Sequence, residues 1–228
     1  MRFPALQPGT FLERVNRFAA LVEVDGREVL AHVANSGRLK ELLKELRPVL
    51  LAPRPAEGRR TAFDLALVRL PSGLVSADAR LPPRLVQEAF LARRLPPFRE
   101  YATAQREVRY GESRLDLVFR GGAPDCMVEV KSVTLVEQGR GLFPDAPTER
   151  GRKHLRTLAL AQREGYRAAV VFVIQRADVE AFRPHDGADP AFGEELRRVA
   201  GAGVEVFAYR CRVTRRGIGI ASGVPVLL

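Results

Sequence analysis

Tryptophan is absent from this chain of 228 residues, and cysteine, histidine, lysine and asparagine are scarce. The two cysteines, Cys126 and Cys211, sit in apolar, strand-like contexts. They make no disulfide framework and no zinc spacing, and read as buried thiols of a reducing cytoplasm. The three histidines, His32, His154 and His185, are scattered, so neither a triad nor a zinc site can be assembled from them. No glycine-rich phosphate loop of the nucleotide-hydrolase kind occurs. The longest uncharged run, GIGIASGVPVLL (217 to 228), is too short to span a bilayer. Arg2, Pro4, Pro8 and Glu13 leave no apolar signal core at the start. These absences point to a soluble cytoplasmic protein with no membrane partner.

Charge of one sign is in excess. Against 27 acidic residues stand 37 basic ones, of which only four are lysine, for a net charge of +10. That surplus favours a polyanionic partner, nucleic acid before an acidic membrane. Where arginine is the default cation, a lysine stands out, because the two do different chemistry. Lys131 is such a residue.

The chain is long enough for one large or two small domains. Residues 1 to 78 read as short strands and turns. AALVEVDGREVLAHV forms a hairpin around Asp25-Gly26, further strands cover 48 to 52 and 61 to 70, and a short helix covers 38 to 46. This pattern predicts a small β-barrel, an OB-fold among the candidates. From residue 79 the pattern changes. A helix is expected over 81 to 95, strands near 103 to 109, 114 to 120 and 125 to 134, and a helix from 148 with Thr148 as N-cap and Gly165 as its stop. A buried strand over 166 to 176, a helix over 190 to 201 and strands near 203 to 210 and 217 to 220 complete the chain.

The strand CMVEVKSV (126 to 133) interrupts an apolar run with Glu129 and Lys131. If it pairs with SRLDLVF (113 to 119) across the loop 121 to 124, with Arg120 opposite Asp125, then Val118 faces Met127, Asp116 faces Glu129 and Arg114 faces Lys131, all on one side of the sheet. Two carboxylates directly opposed are destabilising. A divalent cation between them would compensate, and an oxygen-only donor set favours Mg2+ or Mn2+. With Lys131 beside it, such a site could hydrolyse a phosphodiester. An ion-pair cluster of Arg114 and Lys131 with the two acids needs no metal and is the competing reading. Glu88, on the first helix of the second half, is a further candidate acid, with a solvent-facing role as the alternative.

These residues resemble a known pattern. Asp116 followed by Glu129-x-Lys131 on this strand order is similar to the PD-(D/E)XK nuclease superfamily. The stretches RVNRFAALVEVDG (14 to 26), HVANSGRL (32 to 39), LVQEAF (85 to 90), EVRYGESRLDLVF (107 to 119), CMVEVKSVTL (126 to 135), FPDAPTERGRKHLRTL (143 to 158) and VVFVIQRADVEAFRP (170 to 184) resemble the sugar fermentation stimulation protein A family nearly end to end. The resemblance implies an α+β protein: an OB-fold-like nucleic-acid-binding barrel over 1 to 78, then a restriction-endonuclease-like domain with a mixed central sheet over 79 to 228. It implies DNA binding, and carries two descriptions, a metal-dependent nuclease and a regulator of sugar (maltose) metabolism genes. The family motif usually written CPNTGSM stands here as VANSGRL. Asn35, Ser36 and Gly37 keep its polar turn, while Val33, Arg38 and Leu39 depart from it.

Candidate contacts to nucleic acid follow. Arg14, Arg17, Asn35, Ser36, Arg38 and Lys40 lie in the first domain. Arg114 lies beside the acids, and Arg150, Lys153 and His154 open a helix suited to phosphate. Gln175 ends a buried strand and is either a site-edge group or a polar cap. Phe3, Phe11, Phe18 and Phe63 read mostly as core, which leaves little for base stacking. Nuclease and non-catalytic DNA-binding regulator both remain open, as do RNA as the ligand and a homodimeric state.

Overall fold

A computed structural model describes every residue except 56, 57, 59 and 60. The first half forms β1 (Gln7–Asn16), β2 (Ala19–Val24), β3 (Arg27–His32), β4 (Arg47–Pro53), β5 (Phe63–Leu70) and β6 (Gly73–Ser76). Their sheet order is β3-β2-β1-β4-β5-β6, and a parallel pairing of β3 with β5 closes the first five strands into a barrel. The β2–β3 hairpin turns at Asp25 and Gly26, with φ of 49° and 75°, the left-handed pair that a two-residue turn requires. Alternate side chains Ala20, Val22, Ala31, Val49, Leu51, Leu65 and Val68 fill the barrel. The helix expected over 38 to 46 is not formed. Turns replace it, because Leu39 and Leu46 take positive φ (52° and 59°) and Asp145 Oδ2 accepts from the N–H groups of Arg38 (2.6 Å) and Leu39 (3.4 Å).

The second half runs α1 (Pro82–Leu91), a 3-10 turn at Pro96–Phe98, β7 (Thr103–Tyr110), β8 (Ser113–Arg120), β9 (Cys126–Val133), β10 (Val136–Glu137), β11 (Arg140–Phe143), α2 (Glu149–Arg163), β12 (Arg167–Ile174), β13 (Ala181–Pro184), α3 (Pro190–Gly201), β14 (Glu205–Thr214) and β15 (Gly217–Val224). The central sheet is mixed, in the order β15-β14-β12-β9-β8-β7, with β9, β12 and β14 parallel. α1 is shorter than expected. Arg93 turns left-handed at φ 57° and its guanidinium donates to the carbonyls of Arg99 and Tyr101. The small sheet of β10, β11 and β13 was not expected, since strands of two to four residues carry too little pattern to read.

Each face of the central sheet has its own cover. Leu85, Val86, Ala89 and Phe90 of α1 pack on Phe119, Val128 and Val130, with the Phe90 and Phe119 rings stacked 4.4 Å apart. Leu155 and Leu158 of α2 and Phe192 and Leu196 of α3 pack on Val118, Met127, Val170 and Phe172. Each such side chain contributes about 1.5–3 kcal/mol through burial. The two halves are joined by hydrogen bonds. Gln175, fully buried, donates through Nε2 to the Asp78 carbonyl and Ser132 Oγ, and its backbone carbonyl accepts from Ser76 N. No helix among the described residues is long and apolar enough to cross a membrane.

Candidate active site where two strands part

The expected register of β8 and β9 is present over three pairs, but the expected Asp116–Glu129 and Arg114–Lys131 pairs are not formed. Leu117 pairs with Val128, Val118 with Met127 and Phe119 with Cys126. The ladder stops there, while β8 stays paired to β7 as far as Ser113. Past the stop, Asp116 Oδ2 takes over as acceptor for the Val130 N–H at 2.9 Å. A side chain thus replaces a strand as partner, and the gap between β8 and β9 becomes a pocket of about 250 Å³. Asp116, Glu129, Lys131, Arg114, Arg150 and His154 all line it.

Glu129 is 3% exposed. Its Oε1 accepts from Lys131 Nζ at 2.6 Å and is also bonded to His154 Nδ1. Because the partner is a carboxylate, Nδ1 carries the hydrogen and donates. Its other oxygen, Oε2, is buried with no partner. Burial would push the Glu129 carboxyl up, but Lys131 and His154 outweigh it and hold the group below the ordinary range. Asp116 goes the other way. Burial first, then the neighbouring Glu129 charge, raise it to about 6.

α2 sets the far wall. Thr148 Oγ1 caps the helix by accepting from Gly151 N at 3.0 Å, as expected, and Gly165 ends it at φ 92°. Buried Asp189 fixes this start: Oδ2 accepts from Thr148 N while Oδ1 caps α3 through Phe192 N. Arg150 and His154 are thereby aimed at the pocket.

Several expected site residues lie elsewhere. Glu88 is not part of the site. It is on α1, which covers the opposite sheet face, and it pairs with the Met1 ammonium (2.8 Å) and Arg84 (3.3 Å). Arg14 is not free for phosphate, because its guanidinium donates to the carbonyls of Asn16, Arg17, Asn35, Gly37 and Arg38. Asn35 is buried, donating to the Ala77 carbonyl and accepting from Gly37 N, and so shapes its loop rather than a ligand. Gly37 is required there, since a Cβ would lie 2.5 Å from Asp145 Oδ2. Gln175 belongs to the seam between the halves. Lys153 is exposed against Glu112, outside the pocket lining. His154, expected as a phosphate contact, instead braces Glu129. Its place was readable, because Gly151, His154, Leu155 and Leu158 form the buried stripe of α2. Glu107 was missed. It lines the pocket, pairs with Arg114 at 3.6 Å and holds φ at 54°, which no local pattern signals. Arg17, Ser36, Arg38 and Lys40 are exposed beside a second groove, lined also by Ala146 and Pro147.

Among the described residues no group of three or more His, Cys, Asp and Glu side chains is gathered to hold a metal ion unaided. Two carboxylates with a buried orphan oxygen nevertheless fit a hard cation that keeps waters and takes further oxygens from a phosphate.

Comparison with known proteins agrees along nearly the whole chain. The family described as "Sugar fermentation stimulation protein RE domain" matches residues 80–217, and "SfsA N-terminal OB domain" matches residues 12–77. A sugar fermentation stimulation protein homolog of Chloroflexus aggregans is 48% identical over 96% of this chain and 84% of its own length. That of Moorella thermoacetica is 47% identical, over 96% and 95%. The solved structure of Pyrococcus furiosus SfsA in complex with Ca2+ superposes with a TM-score of 0.92 at 31% identity, covering 100% of this chain and 98% of that one.

Proposed function

The chain belongs to the sugar fermentation stimulation protein family, and from that premise we propose that it is a divalent-metal-dependent phosphodiesterase acting on nucleic acid, DNA in the first instance. The observation that carries this reading is Glu129 Oε2, an ionised oxygen left buried and unpartnered beside Asp116. Leaving it so is costly unless a ligand meets it. Asp116 and Glu129 would hold Mg2+ or Mn2+, which supplies a bound water of lowered pKa and offsets charge on the phosphoryl oxygens. The Pyrococcus furiosus relative, solved with Ca2+, supports an oxygen-ligated cation. Lys131 brings an ammonium to the same pocket, placed to stabilise negative charge as it develops. His154 keeps the Glu129 carboxylate turned, and Arg114 and Arg150 at the rim suit phosphate. The direct test is cleavage of labelled single-stranded and duplex DNA and RNA with Mn2+, Mg2+ or EDTA. Metal-dependent cutting that disappears in Glu129→Gln and in Lys131→Ala is expected. Cutting that persists in both would overturn the assignment.

A second reading, a DNA-binding regulator of sugar (maltose) metabolism genes that does not cut, is favoured by one observation. Lys131 and His154 both bond Glu129 Oε1, so that oxygen is held without a metal. Binding that is equally tight in EDTA and in metal, with no cutting under either, supports it.

A further inference from the structure

The turn between β1 and β2 contains an anomaly. Phe18 is 49% exposed. Its backbone is fixed on every side. Phe18 N donates to Asn16 Oδ1 at 2.8 Å, and Phe18 O accepts from Val33 N at 2.8 Å and His32 Nδ1 at 3.0 Å. Arg14 braces the same turn through the carbonyls of Asn16 and Arg17. The ring stacks on His32, with centroids 6.4 Å apart and planes at 28°. Exposed apolar side chains scattered singly are ordinary. This one has a hydrogen-bonded backbone, is paired with a second ring and follows Arg17 in the chain. Arg17, the next residue, lines a groove with Arg38 and Lys40, and none of the three is in an ion pair among the described residues.

The groove leads somewhere. Its wall includes Ala146 and Pro147, and the residues that follow, Thr148, Arg150 and Gly151, line the Asp116–Glu129 pocket. One continuous segment therefore borders both. We propose that Phe18 and His32 form a stacking platform for an unpaired base, and that Arg17, Arg38 and Lys40 guide the backbone of a single strand from that platform towards the pocket. Each base offers a π-face that such a ring accepts without regard to sequence. In a duplex those faces are hidden, so the platform selects single strands. This corrects the expectation that Phe18 is core. The proposal rests on the reading above only for the class of ligand. It needs no metal and no cleavage.

The test is fluorescence anisotropy in EDTA with a labelled oligothymidine of about 12 nucleotides, a length within one OB-fold's reach, beside a duplex of the same length. Phe18→Ala is expected to weaken single-strand binding about 5- to 150-fold, the loss of one stacked base, and to leave duplex binding unchanged. Phe18→Trp should bind as the wild type does. An oligomer of abasic units should erase the difference between wild type and Phe18→Ala. If Phe18→Ala binds the single strand as tightly as wild type, or weakens single strand and duplex equally, the platform does not exist. Because binding is read without metal, failure of the nuclease reading and failure of this one give different results.

Discussion

Replacing Asp116 by asparagine should make the metal-free protein more stable, although Asp116 lies at the centre of the proposed chemistry. Its carboxyl stands at about 6, against 3.8 for an ordinary aspartate, raised by burial and by Glu129. At about 1.4 kcal/mol per unit, the ionised form costs the fold about 3 kcal/mol. The sign follows from linkage. The folded value lies above the unfolded one, so the stabilisation is fully present below pH 3.8 and is lost as pH rises through about 6. Asparagine keeps an oxygen to accept from Val130 N and carries no charge. Urea unfolding at about pH 8 should show Asp116→Asn ahead of wild type by up to about 3 kcal/mol, a Tm rise of about 6–12 °C. At about pH 5, between the unfolded and folded values, the advantage should fall to about half, about 1.6 kcal/mol. Added Mn2+ at the higher pH should stabilise the wild type and not the variant. A variant less stable than wild type at the higher pH, or one with the same advantage at both, would refute the account of opposed buried carboxylates.

Asn35→Ala removes a buried side chain that bonds Ala77 O and Gly37 N; a loss of about 1–3 kcal/mol is expected in thermal or urea melts, and no loss would mean the loop is held by Arg14 and Asp145 alone. Thr148→Ala strips the α2 cap and should cost about 0.5–2 kcal/mol, with faster hydrogen exchange at Gly151 N as the local readout. Glu88→Gln should leave cleavage intact while Glu129→Gln abolishes it, and equal losses would return Glu88 to the site.

The register of β8 against β9 was readable because a short loop, an Arg120–Asp125 pair and alternating apolar residues agree on it, and the structure keeps both the register and that ion pair. Thr148 and Gly165 were readable because caps are local. What was hidden depends on distant chain. The turn at 38 to 46 has helix-forming residues, but Asp145, more than a hundred positions away, takes the amides of Arg38 and Leu39. Glu88 has the sequence neighbours of a site acid, yet helix α1 lands on the sheet face away from Glu129, and the Met1 ammonium captures it. Arg14 reads as a surface cation, and only the folded loop shows five carbonyls converging on its guanidinium.

The same remote contacts explain why the pocket is attached to the barrel at all. Asp145 sits three residues before the α2 cap, and its carboxylate is committed to the loop that carries Ser36 and Arg38. Gln175, at the end of β12, holds the Asp78 carbonyl and the Ser132 hydroxyl one residue from Lys131. Each tie runs from the barrel to an element bearing a pocket residue: α2 with His154, and β9 with Glu129 and Lys131. A shift of the barrel would therefore be felt at the carboxylates through short, hydrogen-bonded paths rather than through a flexible linker. If the proposed single strand binds the barrel face, these ties hold it at a fixed distance from the groups proposed to act on it, the geometric condition for positioning a scissile phosphate without a dedicated lid.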